Sequence, residues 1–328
     1  MATMKDVAQE AGVAVETVSR VLNNRGYISK KTRAKVESAM EELNYRPNEF
    51  ARGLSKKNMD TIAIIVPHIT HPYFSRAISC LEKETTRRGY KLLLFNSSDG
   101  AERERLVLEL CQSSFINGVL LYSYDISAEK LMRFHVPIVT SERMNENGAG
   151  SVRCDNEIGG RLAAEHLIGR GCRRLVVVGS VLDIEMPAIG REESFLRVCA
   201  DAGAACRVYK SSPEDYATLD YHSFLRSILS ECGDCDGIFA TSDVIAAQVI
   251  QECTQMGRRI PEDVKLIGFD DSYLAELTTP RLTSLRQPVE AMTAAALDII
   301  ENWNEGLTEE QKNLTFPVTL TVRESTGG

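Results

Sequence analysis

The 328-residue sequence has no apolar run near the ~18 residues that a membrane-spanning helix needs, and its first residues show no leader pattern. Insertion into a membrane and export are therefore not expected, and a soluble, cytoplasmic protein is. Cysteine is present but unpaired in pattern: nine residues, odd in number and scattered, argue against a secreted disulfide framework. Cys232-Gly-Asp-Cys235 is a lone CxxC without a second pair at metal-ligand spacing, and reads as a loop before a strand. His68 and His71 stand beside Pro67 and Pro72, so they sit on a loop and not on one helix face. There is no GxGxxG after a strand and no nucleophile–base pairing. An enzyme, a bound metal and a cofactor are accordingly not expected.

The net charge of −8 hides an uneven distribution. Residues 1–60 carry eleven basic and eight acidic side chains, a net of +3, which leaves −11 for the rest. A basic head on an acidic body suits a polyanion bound at one end only.

Within that head, Thr3–Asn23 has two short amphipathic runs. Val7, Ala8 and Ala11 form one stripe, and Val18, Val21 and Leu22 form another, with Gly12 between them. Glycine can end a helix with φ > 0 without a Cβ clash. Thr3, three residues before Asp6, reads as the cap of the first run. Two helices about a tight glycine turn form either a plain αα-hairpin or a helix-turn-helix, whose second helix enters the DNA major groove. The outer face of that second helix offers Val15, Glu16, Ser19, Arg20 and Asn23. Arginine can bond guanine bidentately, a carboxylate can accept from cytosine, and small apolar groups can meet a thymine methyl. Thr17, Ser19 and Asn23 suit phosphate oxygens. Ser29 reads as the cap of a third helix, about 30–44, whose stripe Val36, Ala39, Met40 and Leu43 should pack on the first two.

The string MKDVAQEAGVAVETVSRVLN resembles the N-terminal signature of the lac repressor (LacI/GalR) family of bacterial regulators. Ala14 departs from it, standing where the family usually has a capping Ser. Pro47-Asn-Glu-Phe-Ala-Arg-Gly-Leu54 is similar to the family's hinge pattern. By its residues alone it is a linker, since Asn48–Leu54 is too short for a stable isolated helix. The resemblance implies a hinge helix pairing in the minor groove with Leu54 as a wedge. It implies DNA contacts at Thr3, Val15, Glu16, Thr17, Ser19, Arg20, Asn23, Tyr45, Ala51 and Leu54.

From Asp60 onward apolar runs such as Ile62–Val66, Gly118–Tyr122, Leu175–Val178 and Gly237–Ala240 alternate with helical stretches. This predicts parallel sheets in two lobes, with a ligand outside the carboxyl ends of the strands. A final strand is expected at 316–323. Strand-end residues include Tyr73, Phe74, Glu142, Arg191, Tyr216, Asp243 and Asp270: carboxylates, one arginine and aromatic faces, a set that fits a polyhydroxy ligand.

Further stretches, among them Ile260-Pro-Glu-Asp-Val-Lys-Leu-Ile-Gly-Phe-Asp-Asp271, resemble the family's sensor domain, which is similar to periplasmic sugar-binding proteins. The resemblance implies effector contacts at Tyr73, Phe74, Arg191, Asp243 and Asp270, with Tyr216 a looser match and Glu142 where Asp is usual. The expected organisation is an all-α head at 1–46, a hinge at 47–59 and a two-lobed α/β effector domain at 60–328. Its N-lobe covers about 60–158 and 288–316, and its C-lobe about 159–287 and 317–328. The expected function is a repressor binding a pseudo-palindromic operator in double-stranded DNA as a homodimer, under a small-molecule effector that is a sugar or sugar derivative. The absence of a leucine heptad tail favours a dimer over a tetramer. Control by a protein corepressor is the alternative, and a sugar-binding receptor a more distant one.

Overall fold

The structure, a computed structural model, describes residues 2–23, 26–45, 60–97, 101–113, 116–122, 128–131, 133–143, 148–180 and 186–328, in two compact units, 1–59 and 60–328.

The first unit contains α1 (Met4–Ala11), α2 (Val15–Leu22) and α3 (Lys30–Glu42). Gly12 ends α1 at φ 62°, so the chain turns at once into α2. Val7, Val18, Val21, Val36 and Ala39 are buried together and join the three helices. Thr3 and Asp6 form a reciprocal capping box on α1, and Ser29 Oγ accepts from Thr32 N at 3.1 Å on α3. The N-cap of α2, Ala14, makes no side-chain bond. The shortest helix pair of the head therefore lacks one cap, worth about 0.5–2 kcal/mol.

The second unit begins with β1 (Thr61–Val66), α4 (Pro72–Arg88), β2 (Lys91–Asn96) and α5 (Ala101–Ser113). Then come β3 (Gly118–Leu121), α6 (Ala128–Leu131), β4 (Ile138–Ser141), β5 (Gly150–Cys154) and α7 (Asn156–Gly169). The chain continues through β6 (Arg174–Ser180), α8 (Ile189–Asp201), β7 (Ala205–Ser211), α9 (Pro213–Thr218) and α10 (His222–Glu231). Next are β8 (Gly237–Ala240), α11 (Asp243–Gln255), β9 (Lys265–Asp270), α12 (Leu274–Leu277) and β10 (Thr283–Arg286). It closes with α13 (Val289–Glu301), α14 (Glu309–Lys312), β11 (Asn313–Phe316) and β12 (Thr319–Thr321).

These strands form two six-stranded sheets, ordered β11-β5-β4-β3-β1-β2 and β12-β10-β9-β8-β6-β7. All pairs are parallel except β10 with β12. In each sheet the first strand (β1 or β6) lies between its two successors, so the winding direction reverses beside it. Ligands in such sheets bind at that switch point. Ile62–Val66 and Val119–Leu121 are fully buried, as strands covered on both faces must be.

The expected last strand at 316–323 is instead two strands in different sheets. Pro317, which has no N–H for a ladder, separates β11 from β12. Strands 150–154 and 283–286 and the helices 213–218, 222–231 and 243–255 add to the elements read from sequence. The chain passes between the sheets at 154–156, at 286–289 and at 316–319, and residues of both sheets share one buried cluster that includes Ile62, Phe195, Phe269 and Val318.

Candidate functional site

In the head, Val18 and Val21 turn inward, which leaves Glu16 and Arg20 exposed and Thr17, Ser19 and Asn23 half-buried on α2. Asn23 Nδ2 donates to the Ser19 carbonyl at 2.9 Å and braces the helix end. Thr3 is committed to its own helix: Thr3 N and Oγ1 donate to Asp6 Oδ2 at 2.7 and 2.8 Å. The bond from the Thr3 backbone holds the Asp6 carboxyl below its usual range. Val15 and Tyr45 are half-buried against the head's core, so packing explains both. Tyr27, which the sequence reading passed over, is 96% exposed just beyond α2 and presents a hydroxyl donor. Ala51 and Leu54 lie outside the described residues.

In the second unit a cavity of about 140 Å³ opens between the two sheets, at the carboxyl ends of β1, β4, β8 and β9. Tyr73, Phe74, Glu142, Arg191, Tyr216 and Asp270 all line it. Tyr73 and Phe74 lie in the first turn of α4, not on the loop before it. His71 caps that turn, its Nδ1 accepting from Tyr73 N at 3.3 Å. Burial, helped by nearby His68, pushes the His71 imidazole down to about 4. Neutral and accepting through Nδ1, it keeps Nε2–H as a donor.

Two cavity acids sit in backbone conformations that L-residues avoid, Glu142 at φ 57° and Asp270 at φ 108°. Each costs about 1–3 kcal/mol and must be held by its surroundings, as is common at functional sites. Glu142 accepts from Cys154 N at 2.7 Å and from Asn156 Nδ2 at 2.9 Å. Asp270 accepts from Gln287 Nε2 at 2.8 Å. Burial first, and the charge of Asp243 second, hold the Asp270 carboxyl well above the usual range.

Arg191, buried on α8, donates through Nε to Asn156 Oδ1 and through Nη1 to the Thr241 carbonyl, and its guanidinium lies 3.5 Å above the Phe269 ring. Nη2 has only long contacts, 3.8 Å to Glu142 and 3.9 Å to Cys154 Sγ, and is the arm left for a ligand. Gly160 lets α7 and α8 touch: a Cβ there would stand 1.9 Å from the Arg191 carbonyl oxygen. Larger side chains are excluded where the arginine is mounted.

Asp243 is the exception among the expected cavity residues. It does not line the cavity. It begins α11 and turns into the protein, accepting from Ser284 Oγ and Ser272 N, both at 2.6 Å. Its role is to tie α11 to the ends of β9 and β10. Ser242, next to it, faces the cavity and caps α11. Sequence reasoning also missed Gln287, Thr241, Tyr221, Lys210 and Glu192, which line the cavity too. Gln287 and Thr241 follow strand ends directly, a signal that was available. Lys210 and Glu192 could be assigned only once β7 and α8 were paired, with Lys210 Nζ 3.4 Å from Glu192.

Among the described residues no cluster of His, Cys, Asp or Glu could hold a metal, and no helix is long and apolar enough to cross a membrane. Cys232 Sγ lies 2.9 Å from Tyr209 Oη, and Cys235 Sγ accepts from Arg258.

Residues 3–48 match the model for bacterial regulatory proteins of the lacI family, and residues 164–326 the periplasmic binding protein-like domain. The ribose operon repressor of Halalkalibacterium halodurans is 32% identical over 328 residues, covering 100% of this chain and 98% of the relative. This chain belongs to the lacI family of bacterial regulatory proteins. The sucrose operon repressor of Streptococcus mutans is 32% identical, covering 92% of each chain. Among solved structures, the complex of the transcriptional regulator CelR with cellobiose is 28% identical with a TM-score of 0.72, covering 99% of this chain and 100% of that one. The lac repressor dimer bound to operator shares the fold, with a TM-score of 0.85 at 23% identity, covering 99% of each chain. As a lacI-family member the chain is a DNA-binding transcriptional regulator. Its helical head and its two-sheet body are the two halves of that activity.

Proposed function

We propose that this lacI-family regulator is a repressor that binds a pseudo-palindromic operator as a homodimer and is controlled by a sugar or sugar derivative in the inter-sheet cavity. The single observation that carries the effector half is the lining itself. Glu142 and Asp270 offer acceptors, Arg191 Nη2, Gln287 and His71 offer donors, and Tyr73, Phe74, Tyr216 and Tyr221 offer aromatic walls. A polyhydroxy ring needs both kinds of bond at its edge and apolar cover on its faces. The sugars in the relatives' names and the cellobiose in the CelR complex support the same class.

In this reading residues 1–46 read DNA, 47–59 form the hinge, and 60–328 form the effector and dimerisation domain. Arg20 contributes base readout, and Ser19, Thr17 and Tyr27 contribute phosphate contacts. Leu93 and Leu94, 41% and 44% exposed on the edge strand β2, supply apolar surface for a second copy. Thermal-shift measurements on the full chain with aldoses, disaccharides, sugar phosphates and nucleosides test the proposal. A ligand at 100 times its Kd adds about 2.7 kcal/mol. A raised melting temperature with one sugar class, lost in Asp270→Ala, supports the reading. Stabilisation by none of the sugars overturns it.

A further inference from the structure

Arg76 sits on α4, three residues after Tyr73 and two after Phe74, and belongs to the first sheet's lobe. Its side chain leaves that lobe. Nη1 donates to the Asp271 carbonyl at 3.3 Å, across the cleft at the end of β9. Nη2 donates to both oxygens of Glu290, at 2.9 and 3.2 Å. Both partners are informative. Asp271 directly follows the cavity residue Asp270, and both have positive φ, 48° and 108°. Asp271 is itself fixed in the second sheet: its N donates to Ser284 Oγ at 3.0 Å, and its carboxylate pairs with Arg286 at 2.6 Å and Arg323 at 2.7 Å. Glu290 lies in the first turn of α13, three residues beyond Gln287, where the chain passes between sheets. Gln287 in turn holds Asp270.

One closed circuit therefore runs from the aromatic wall (Tyr73, Phe74) through Arg76 to Asp271, Asp270, Gln287, Glu290 and back. The Arg76–Asp271 link is long and partly solvated, so it is the link that gives way when the lobes part. The Glu290 link is shorter, one nitrogen shared between both carboxylate oxygens, and stays within the first lobe's helices. A side chain with one fixed arm and one breakable arm across a cleft is a two-position element, which is what coupling between sites requires.

We infer that Arg76 is the positioning residue through which occupancy of the cavity sets the angle between the two lobes. The inference rests on the cavity holding the effector, as proposed above. A ligand that draws Tyr73 and Phe74 toward Asp270 strengthens the Arg76–Asp271 bond, and one that pushes them apart breaks it. In both cases Glu290 carries the change into α13. Arg76 does not line the cavity, so its loss should separate ligand binding from the response to ligand.

The test compares full-length wild type, Arg76→Gln, Glu290→Gln and the double variant. Calorimetry with D-ribose and sucrose gives ligand affinity, and fluorescence anisotropy with a duplex selected by the wild type gives operator affinity with and without sugar. Couplings of this kind are about 5- to 150-fold. We expect Arg76→Gln to bind the sugar within about threefold of wild type while the operator response falls toward onefold. Glu290→Gln should lose response in the same direction, and the double variant should be no worse than Arg76→Gln alone, since both cut one circuit. An Arg76→Gln protein that binds sugar and responds as wild type overturns the inference, as does parallel loss of affinity and response. If the wild type binds neither sugar nor any other tested polyol, the cavity reading falls and takes the inference with it, an outcome distinct from both.

Discussion

Arg191 and Glu142 approach to 3.8 Å across the cleft, the first mounted on a helix of the second sheet and the second at the end of a strand of the first. Asn156 lies between them, donating to Glu142 and accepting from Arg191. The pair is buried, so neither charge is screened by water and each needs the other's company. Arg191→Lys keeps the charge but loses the planar fork that reaches Asn156 and the Thr241 carbonyl together. The expected outcome is effector affinity reduced at least tenfold in calorimetry with operator binding retained; unchanged affinity would place the ligand elsewhere.

In the head, Arg20 is exposed on the outer face of α2. Arg20→Ala should cost about 1–3 kcal/mol per half-site and relax base preference at one position. Binding to a panel of single-base operator variants checks it. A uniform loss across the panel would make Arg20 a phosphate contact instead.

Ala14 leaves the amino end of α2 without a side-chain acceptor. Ala14→Ser should raise head stability by about 0.5–2 kcal/mol, read by chemical denaturation of the full chain with a probe in residues 1–45. A null result would mean that the free N–H groups of α2 are already satisfied.

At Gly160 the α7–α8 contact has no room for a methyl group. Gly160→Ala should destabilise the body by about 1–3 kcal/mol and shift Arg191, so that effector affinity falls with stability. Full affinity in a folded variant would show that Arg191 is positioned from elsewhere.

His71 gives a pH signature. Its folded value is about 4 against an ordinary 6.5, so between those values the unfolded chain binds more protons. Stability therefore rises with pH across that window and is lost as pH falls through it. The span corresponds to on the order of 3 kcal/mol. Asp243 and Asp270, raised by burial, work in the opposite sense as pH rises above the ordinary carboxylate range. His71→Asn keeps a capping acceptor without the titration. The difference between wild type and variant in urea melts should shrink by that amount from pH 7 to pH 4; a constant difference would contradict the buried neutral imidazole.

The head and the alternation of the body were legible because they rest on local signals. Gly12 at positive φ, the Thr3–Asp6 box and the stripe Val18–Val21 are all short-range, and so are fully apolar strands such as Ile62–Val66. Of the cavity residues at strand ends, Glu142 and Asp270 stood out by their charge, whereas Gln287 and Thr241, which follow strands just as directly, did not. Asp243 was misplaced because strand-end position fixes a residue's depth, not the direction of its side chain; two donors, Ser284 and the Ser272 amide, pull it inward. Lys210 and Glu192 were missed because their meeting depends on how α8 packs on β7, a tertiary fact that neither segment signals alone. The split at Pro317 was missed because two three- or four-residue strands carry too little periodicity to show a change of sheet.

The most direct test of the account is the affinity of the full-length protein for a duplex selected from random sequence, measured at fixed salt with and without the sugar that stabilises it most. The account predicts salt-sensitive, sequence-selective binding whose affinity that sugar changes at least fivefold, a change abolished by Asp270→Ala. Binding no tighter to the selected duplex than to random competitor, or selective binding that no sugar alters, would contradict it.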